Sequence, residues 1–166
     1  MRTLVLLRHA KACAGTGTAD VERALAPEGI EASARLGSFL AAARFTPDLL
    51  VTSPARRARE TALGISRAAG WTTIACLERP FYESSPRRVL AELRRLPANA
   101  ETVVAVGHEP TWSALAGELI GGAQLHLPTG CSAAIRCAIE GWEALGERPG
   151  ELLWLLPPKL LSTTVT

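Results

Sequence analysis

The sequence predicts an α/β protein: a three-layer α/β/α sandwich with a mostly parallel central sheet of about six strands. Short apolar runs alternate with helical segments that start near Pro and end at Gly, a pattern typical of helices that cover both faces of a sheet. Two runs, 3–7 and 102–106, lead into a histidine, and a third, 49–51, leads into a Ser-Pro pair. Because ligands bind at the carboxyl ends of such strands, these polar residues are expected to meet in one crevice.

The first strand is expected over 3–7, and a loop rich in Gly and Ala follows it to residue 26. Pro27 then starts a helix that runs to about Ala43, since proline suits the first helical turn. The apolar side of this helix is expected to consist of Ile30, Ala34, Gly37, Leu40 and Ala41.

The second strand is expected over 49–52. Its helix is expected from Pro54 to Ala69, with Ser53 as the N-cap and Gly70 as the residue that ends it. A third strand is expected over 73–76, where a short apolar segment follows that glycine.

The second half of the chain continues the alternation and adds an edge to the sheet. The expected elements are a helix from Ser85-Pro86 to about Leu96, a strand at 102–106, a helix at 110–120, and strands at 132–139 and 151–156. No internal repeat, linker or low-complexity segment interrupts this order. Residues 1–166 are therefore expected to form one domain.

Composition excludes several classes of protein. A chain with 48% hydrophobic and 20% charged residues is globular, and a net charge of +2 is too small to indicate binding to nucleic acid. Neither a signal peptide nor a membrane-spanning run is evident, so a cytoplasmic location is expected. The four cysteines show no CxxC pair and no metal-ligand spacing with the histidines, so reduced thiols, no metal and no cofactor are expected.

His9 is the first candidate for chemistry, because it follows the first strand directly and stands beside Arg8. A lone histidine at a strand end is more often a structural hydrogen-bonding group. An arginine is unfavourable near a core unless it is paired, and a bound phosphate would pair it. A histidine nitrogen can attack phosphorus and form a phosphohistidine when its other nitrogen is held by an acceptor.

The second candidate is the segment 53–61. A helix that starts at the carboxyl end of a strand favours an anion through its free N–H groups and its dipole. Arg56, Arg57 and Arg59 all lie near that helix start. Two of these arginines are expected to be ordinary solvated residues, while one on the inward side would bind a phosphate.

The third candidate is Gly107-His108, after the run 102–106. Glycine lets the backbone approach the site closely, and His108 can donate a hydrogen bond to a phosphoryl oxygen whose charge grows in the transition state. Each of the three segments is a weak signal by itself. Together, each after a predicted strand, they predict one phosphoryl-binding site.

These residues resemble the motifs of the histidine phosphatase superfamily, which has the phosphoglycerate mutase-like fold, and specifically its SixA-like phosphohistidine phosphatases. The resemblance extends over nearly the whole chain. The matching segments are Arg8–Ala12, Asp20–Leu25 with Pro27 and Gly29, Ser53–Thr61 in the pattern SPxxRAxxT, Val106–Pro110, and Leu127–Gly130. That pattern selects Arg57 from the three neighbouring arginines.

The resemblance implies a metal-independent phosphatase in which His9 accepts the phosphoryl group. Arg8, Arg57 and His108 would be catalytic together with it, and Arg23 would be an outer phosphate ligand. The candidate phosphate-binding residues are Arg8, Arg23, Ser53, Arg57 and His108.

The chain departs from the superfamily pattern at two points. Ala10 follows the first histidine, where most members have glycine, although alanine is also typical of the SixA branch. The segment 78–83 is short where many members carry an acidic proton donor. Glu83 is the candidate donor in this segment, and a solvated surface carboxylate is the alternative. The chain also lacks the length for a large cap, so its crevice is expected to be shallow and open.

Three functions remain open from the sequence. An open site without a strong acid favours a phosphohistidine on a partner protein of the histidine-phosphotransfer type, since an imidazole leaves more easily than an alkoxide. The runner-up is a phosphatase for small phosphomonoesters, such as sugar or nucleotide phosphates. A non-catalytic phosphoprotein-binding module is the third, although such a binder would need the arginines and not both histidines.

Overall fold

The computed structural model describes residues 1–15, 17–72 and 75–161. Its sheet has six strands in the order β3-β2-β4-β1-β5-β6. The strands are β1 (Arg2–Arg8), β2 (Leu49–Thr52), β3 (Ala75–Leu77), β4 (Thr102–Gly107), β5 (Ser132–Cys137) and β6 (Glu151–Leu156). The first four in spatial order run parallel, and β5 and β6 add an antiparallel edge. The predicted fold class is confirmed, while positions 73 and 74 of the predicted third strand lie outside the described residues.

Helices cover both faces of this sheet. They are α1 (Pro27–Ala42), α2 (Arg56–Ala69), α3 (Pro86–Leu93) and α4 (Thr111–Leu119). One buried apolar cluster joins the sheet to α1 and α2, and a second joins it to α3 and α4. The two clusters account for the three layers, because each helix pair buries its apolar side against one face of the sheet.

The buried side of α1 differs from the predicted one. It consists of Gly29, Ser33, Leu36, Gly37 and Leu40, whereas Ile30 is 58% exposed. The reason is the close approach of α1 and α2. A side chain at Gly37 would collide with the carbonyl oxygen of Ile65, so only a small residue fits where the two helices meet. Backbone proximity, rather than the apolar pattern, sets the rotation of this helix.

The start of α2 also differs from the prediction. The helix begins at Arg56, with Ala55 in the N-cap position, instead of at Pro54 after a Ser53 cap. The Ser53 hydroxyl does accept a hydrogen bond from the backbone N–H of Ala55, at 3.2 Å. It is, however, turned toward the site described below. At the other end, Gly70 adopts the left-handed conformation and ends the helix as predicted.

Several other boundaries are shorter than predicted. The third helix ends at Leu93 rather than Leu96, the fourth lies within 111–119, and β5 ends at Cys137. These differences are confined to element ends.

The register of three adjacent strands determines where the polar residues lie. Arg8 of β1 pairs with Gly107 of β4, and Thr52 of β2 pairs with Val106. His9, Ser53 and His108 therefore leave the sheet at the same level along one edge, as the sequence predicts for a crevice at the carboxyl ends. Within the described part of the chain, no helix is both long and apolar enough to cross a membrane.

Candidate active site

His9 leaves the end of β1 with its ring held in one orientation. Its Nδ1 lies 2.7 Å from the carbonyl oxygen of Ala10. A carbonyl can only accept, so Nδ1 carries the hydrogen and Nε2 keeps its lone pair. Arg57 Nε donates to that Nε2 at 3.2 Å. The geometry thus presents an unprotonated ring nitrogen toward the arginine.

Both histidines of the site are disfavoured as cations. Burial is the main cause that lowers the pKa of His9 to about 4, opposed by the Ala10 bond and reinforced by the positive charges of Arg57 and Arg8. Burial also lowers the pKa of His108 to about 3, with His9 and Arg57 as the next causes. The two rings are 4.9 Å apart between centroids. At neutral pH both imidazoles are therefore neutral, and His9 is competent as a nucleophile.

His108 follows β4 and is positioned by Ser53. The Nε2 atom of His108 lies 2.8 Å from Ser53 Oγ, and its Nδ1 lies 3.4 Å from Arg57 Nη2. The Ser53 hydroxyl can donate to Nε2 or accept from it. When it accepts, Nδ1 is unprotonated and can accept; when it donates, Nδ1 carries the hydrogen and can donate. Ser53 is fully buried behind this ring. The structure thus places Ser53 against the His108 ring, and its phosphate contact stays a prediction.

Arg57 is the arginine of its helix start that points inward. Its side chain is 8% exposed, whereas Arg56 and Arg59 lie on the surface. Arg56 pairs with Glu60 at 2.7 Å on the outer side. The first turn of α2 therefore offers three guanidiniums, and the rotation of the helix brings one of them to both histidines.

Arg8 is held from behind by the loop that carries the Leu127–Gly130 motif. Its Nη1 donates to the carbonyl oxygen of Leu127 at 2.8 Å, and the N–H of Gly130 donates to the carbonyl oxygen of His9 at 3.0 Å. The Arg8 Nε is buried and has no hydrogen-bond partner among the described residues. An orphaned guanidinium donor beside His9 suits an anion.

Two residues of the site were assigned no role from the sequence: Asp20 and Tyr82. Asp20 accepts from Arg57 Nη2 at 2.9 Å with its carboxylate and from Arg57 Nη1 at 2.6 Å with its backbone carbonyl. The Tyr82 hydroxyl donates to the same carboxylate at 2.9 Å. The Tyr82 ring meets His108 edge-on, with centroids 5.5 Å apart. The signals available were the DxxR spacing that Asp20 forms with Arg23 and the fact that the chain has a single tyrosine.

Arg23 connects to the histidines through Asp20 and Arg57. It donates to the Asp20 carboxylate at 2.9 Å and to the carbonyl oxygen of Cys13 at 2.8 and 3.0 Å. Its bond to Asp20, with those from Tyr82 and Arg57, holds the pKa of the Asp20 carboxyl well below its usual range. Asp20 is therefore a permanent negative charge at neutral pH.

Thr61 connects the His9 segment to α2. Its hydroxyl accepts from the N–H of Ala10 at 3.0 Å and donates to the carbonyl oxygen of Arg57 at 2.7 Å. The loop before α1 is tied to the same helix, since Glu60 accepts from the N–H of Leu25 at 2.7 Å. These bonds explain why the SPxxRAxxT pattern extends beyond its arginine.

The remaining carboxylates near the site are not placed as proton donors. Glu83 is exposed and lies beside Tyr82, whose pKa is raised to about 12 mainly by burial and by the bond to Asp20, with Glu83 a smaller cause. Glu109 accepts from the N–H of Ser113 at 3.1 Å, at the start of α4. Neither carboxylate forms a hydrogen bond with His9, Arg57 or His108 in the described chain.

No group of three or more His, Cys, Asp or Glu side chains within 1–15, 17–72 and 75–161 is arranged to hold a metal ion. Cys131 and Cys137 are free and buried, and burial raises the pKa of each thiol to about 11. These two cysteines are therefore inert packing residues.

A neutral, oriented imidazole faces a buried guanidinium here, with a second histidine and a second arginine beside it, and such a group of donors is able to hold a phosphoryl group. Residues 4–79 match the histidine phosphatase superfamily (branch 1), and the chain belongs to that superfamily.

Two relatives by sequence are mycobacterial. An uncharacterised protein of Mycobacterium tuberculosis strain H37Rv is 40% identical over 112 residues, which cover 66% of this chain and 67% of that protein. An uncharacterised protein of Mycobacterium leprae strain TN is 34% identical over 121 residues, which cover 69% and 71% of the two chains.

Solved structures of SixA proteins resemble the chain over almost its whole length. SixA from Nakamurella multipartitia superimposes with a TM-score of 0.82 at 29% identity, covering 95% of this chain and 96% of that one. SixA from Agrobacterium tumefaciens gives 0.80 at 26% identity, covering 95% and 98%. A protein histidine phosphatase SixA complexed with tungstate gives 0.84 at 21% identity, covering 96% and 99%, a likeness of fold alone.

The depressed histidine pKa values predict a measurable titration. In a pH series followed by ring NMR, His9 should stay neutral until about pH 4 and His108 until about pH 3. Because each pKa lies below the ordinary 6.5, the unfolded chain binds more protons in that window, so the free energy of unfolding should fall as pH falls from 6.5 to about 4. Protonation of His9 near pH 6.5 would contradict the burial argument.

Proposed function

We propose that this protein is a phosphatase that forms a phosphohistidine on His9 and that its substrate is a phosphohistidine on a partner protein. The observation that supports the first part is the state of His9 Nε2. Its lone pair accepts a hydrogen bond from Arg57 Nε at 3.2 Å. The hydrogen of the ring is held on Nδ1 by the carbonyl oxygen of Ala10. A lone pair that is oriented and unprotonated at neutral pH is what attack on phosphorus requires.

The reaction then needs positioning and charge stabilisation more than acid-base chemistry. His9 Nε2 attacks phosphorus while the electron pair of the breaking bond leaves with the departing nitrogen. Arg8 and Arg57 bind the phosphoryl oxygens, and His108 donates from Nδ1 once Ser53 donates to its Nε2. Water then attacks phosphorus, phosphate leaves, and His9 regains its lone pair.

Among the described residues no acid is positioned to donate a proton to a leaving group, which supports a nitrogen leaving group. Asp20 is held ionised by its three donors, and Glu83 is a surface residue. An alkoxide must be protonated as it departs, whereas an imidazole can carry its proton before the bond breaks. The site as arranged therefore suits a P–N bond better than the P–O bond of a sugar or nucleotide phosphate.

The covalent step predicts that the enzyme can be isolated with phosphate attached. Protein mixed with a phosphorylated substrate and quenched in alkali should carry phosphate on His9, because N-linked phosphate is stable in alkali and lost in acid. The His9→Asn variant should carry none and should lose turnover of p-nitrophenyl phosphate. Mass spectrometry of the quenched protein is the measurement. Full turnover without phosphate at His9 would refute the covalent mechanism.

The inward orientation of Arg57 predicts unequal effects of three substitutions. Arg57→Ala should lower kcat/KM on the order of a hundredfold, since it removes a donor that stabilises developing charge. Arg56→Ala and Arg59→Ala delete the same group from the same helix turn but on its exposed side, so each should retain nearly full activity. Thermal unfolding of all three variants separates loss of catalysis from loss of fold. Equal small losses would mean that Arg57 does not bind the phosphoryl group.

The substrate assignment predicts a preference that can be measured directly. Catalytic efficiency on a phosphorylated histidine-phosphotransfer protein should exceed that on sugar phosphates. Glu83→Gln should leave the former unchanged, because no proton is required from that carboxylate. If the enzyme instead prefers a small phosphomonoester and Glu83→Gln abolishes that activity, Glu83 is a general acid and the runner-up function replaces this one.

A further inference from the structure

The carboxylate of Asp20 lies on the guanidinium that the reaction needs. Arg57 donates from Nη2 to the Asp20 carboxylate at 2.9 Å and from Nη1 to the backbone carbonyl of Asp20 at 2.6 Å. Its Nε is engaged with His9 at 3.2 Å. A phosphoryl oxygen that binds at Arg57 Nη2 therefore competes with the Asp20 carboxylate for that donor. The carboxylate and the substrate share one partner.

Asp20 does not become free when it yields that donor. Its carboxylate also accepts from Arg23 at 2.9 Å and from the Tyr82 hydroxyl at 2.9 Å. The side chain of Asp20 is 48% exposed, against 8% for Arg57. The carboxylate thus lies on the solvent side of Arg57 and is held there by donors from two other residues.

The direction of the reaction brings the leaving group to the same side. In phosphoryl transfer the attacking and leaving atoms are in line across phosphorus. With His9 attacking from the protein side, the leaving group departs toward solvent, and the half-exposed Asp20 carboxylate lies on that solvent side of Arg57. A fixed negative charge beside the departing group favours one that is positive and disfavours one that becomes an anion.

We propose that Asp20 is a specificity-determining residue that recognises the protonated imidazole of a phosphohistidine as its leaving group. This inference rests on the proposed function and refines it. The distal N–H of the substrate ring donates to the Asp20 carboxylate in place of Arg57. When His9 attacks, the P–N bond breaks, the electron pair stays on the ring nitrogen, and a neutral imidazole leaves with its distal proton. A phenolate or alkoxide would develop negative charge against the same carboxylate.

Two small substrates isolate this effect from protein docking. 1-Phosphoimidazole carries the nitrogen leaving group, and p-nitrophenyl phosphate carries one that leaves as an anion without needing a proton. Asp20→Asn should lower kcat/KM on 1-phosphoimidazole about tenfold or more, the effect of losing a charge-assisted hydrogen bond. The same variant should keep or raise kcat/KM on p-nitrophenyl phosphate. The quantity of interest is the ratio of the two efficiencies.

Two further variants serve as controls. Glu22→Gln removes an exposed carboxylate from the same short 3₁₀ helix (Asp20–Glu22), and it should leave the ratio unchanged. Tyr82→Phe removes one anchor of Asp20 and should shift the ratio in the same direction as Asp20→Asn, by less. Thermal unfolding confirms that each variant is folded.

Each other role of Asp20 predicts a different change in the two efficiencies. Equal losses on both substrates in folded Asp20→Asn would show that Asp20 only holds Arg57 in place, and equal gains would show that it only competes for that arginine; either result overturns the proposal. If the wild-type protein cleaves p-nitrophenyl phosphate but not 1-phosphoimidazole, the substrate class under the proposed function is wrong, and the role of Asp20 falls with it.

Discussion

The side chain of Arg57 is the group around which the rest of the site is organised. A buried guanidinium is unfavourable unless each donor has a partner, and here the partners come from separate segments of the chain. His9 follows β1, His108 follows β4, and Asp20 belongs to the loop before α1. Three segments that are distant in the sequence therefore meet at one positively charged side chain. Burial keeps both histidines neutral, and the Arg57 charge adds to it because a cation beside them opposes their protonation.

The scaffold keeps those segments at fixed distances by close backbone contacts. Parallel pairing of β1 with β4 sets His9 and His108 at one level. A side chain at Gly29 would collide with the carbonyl of Lys11, so the loop after His9 can pack directly on α1. Thr61 bonds the loop to α2. Glycine and a small hydroxyl residue thus lie where two backbone segments of the site come close together. Larger apolar residues pack between the sheet and the helices.

Much of this arrangement could be predicted from local sequence. The apolar runs located the strands, and their polar ends located the crevice, since parallel strands share one carboxyl edge. Membership of the superfamily and the fold class were predicted and are confirmed. The face of α1 was predicted wrongly at Ile30, because periodicity records which residues are apolar and not which ones a neighbouring backbone leaves room for. The N-cap position falls on Ala55 and not on the predicted Ser53, whose hydroxyl accepts from the Ala55 N–H and also contacts His108, a contact that no local pattern records.

What the sequence by itself determined was the order of elements and the identity of the chemical groups, because both follow from patterns within a few residues. Only the tertiary structure decided which groups meet. It selected Arg57 over Arg56 and Arg59 by geometry, through the rotation of α2. It also brought Asp20 and Tyr82, 62 positions apart, onto one hydrogen bond. Contacts over such separations depend on how the layers pack, and no local pattern carries that information.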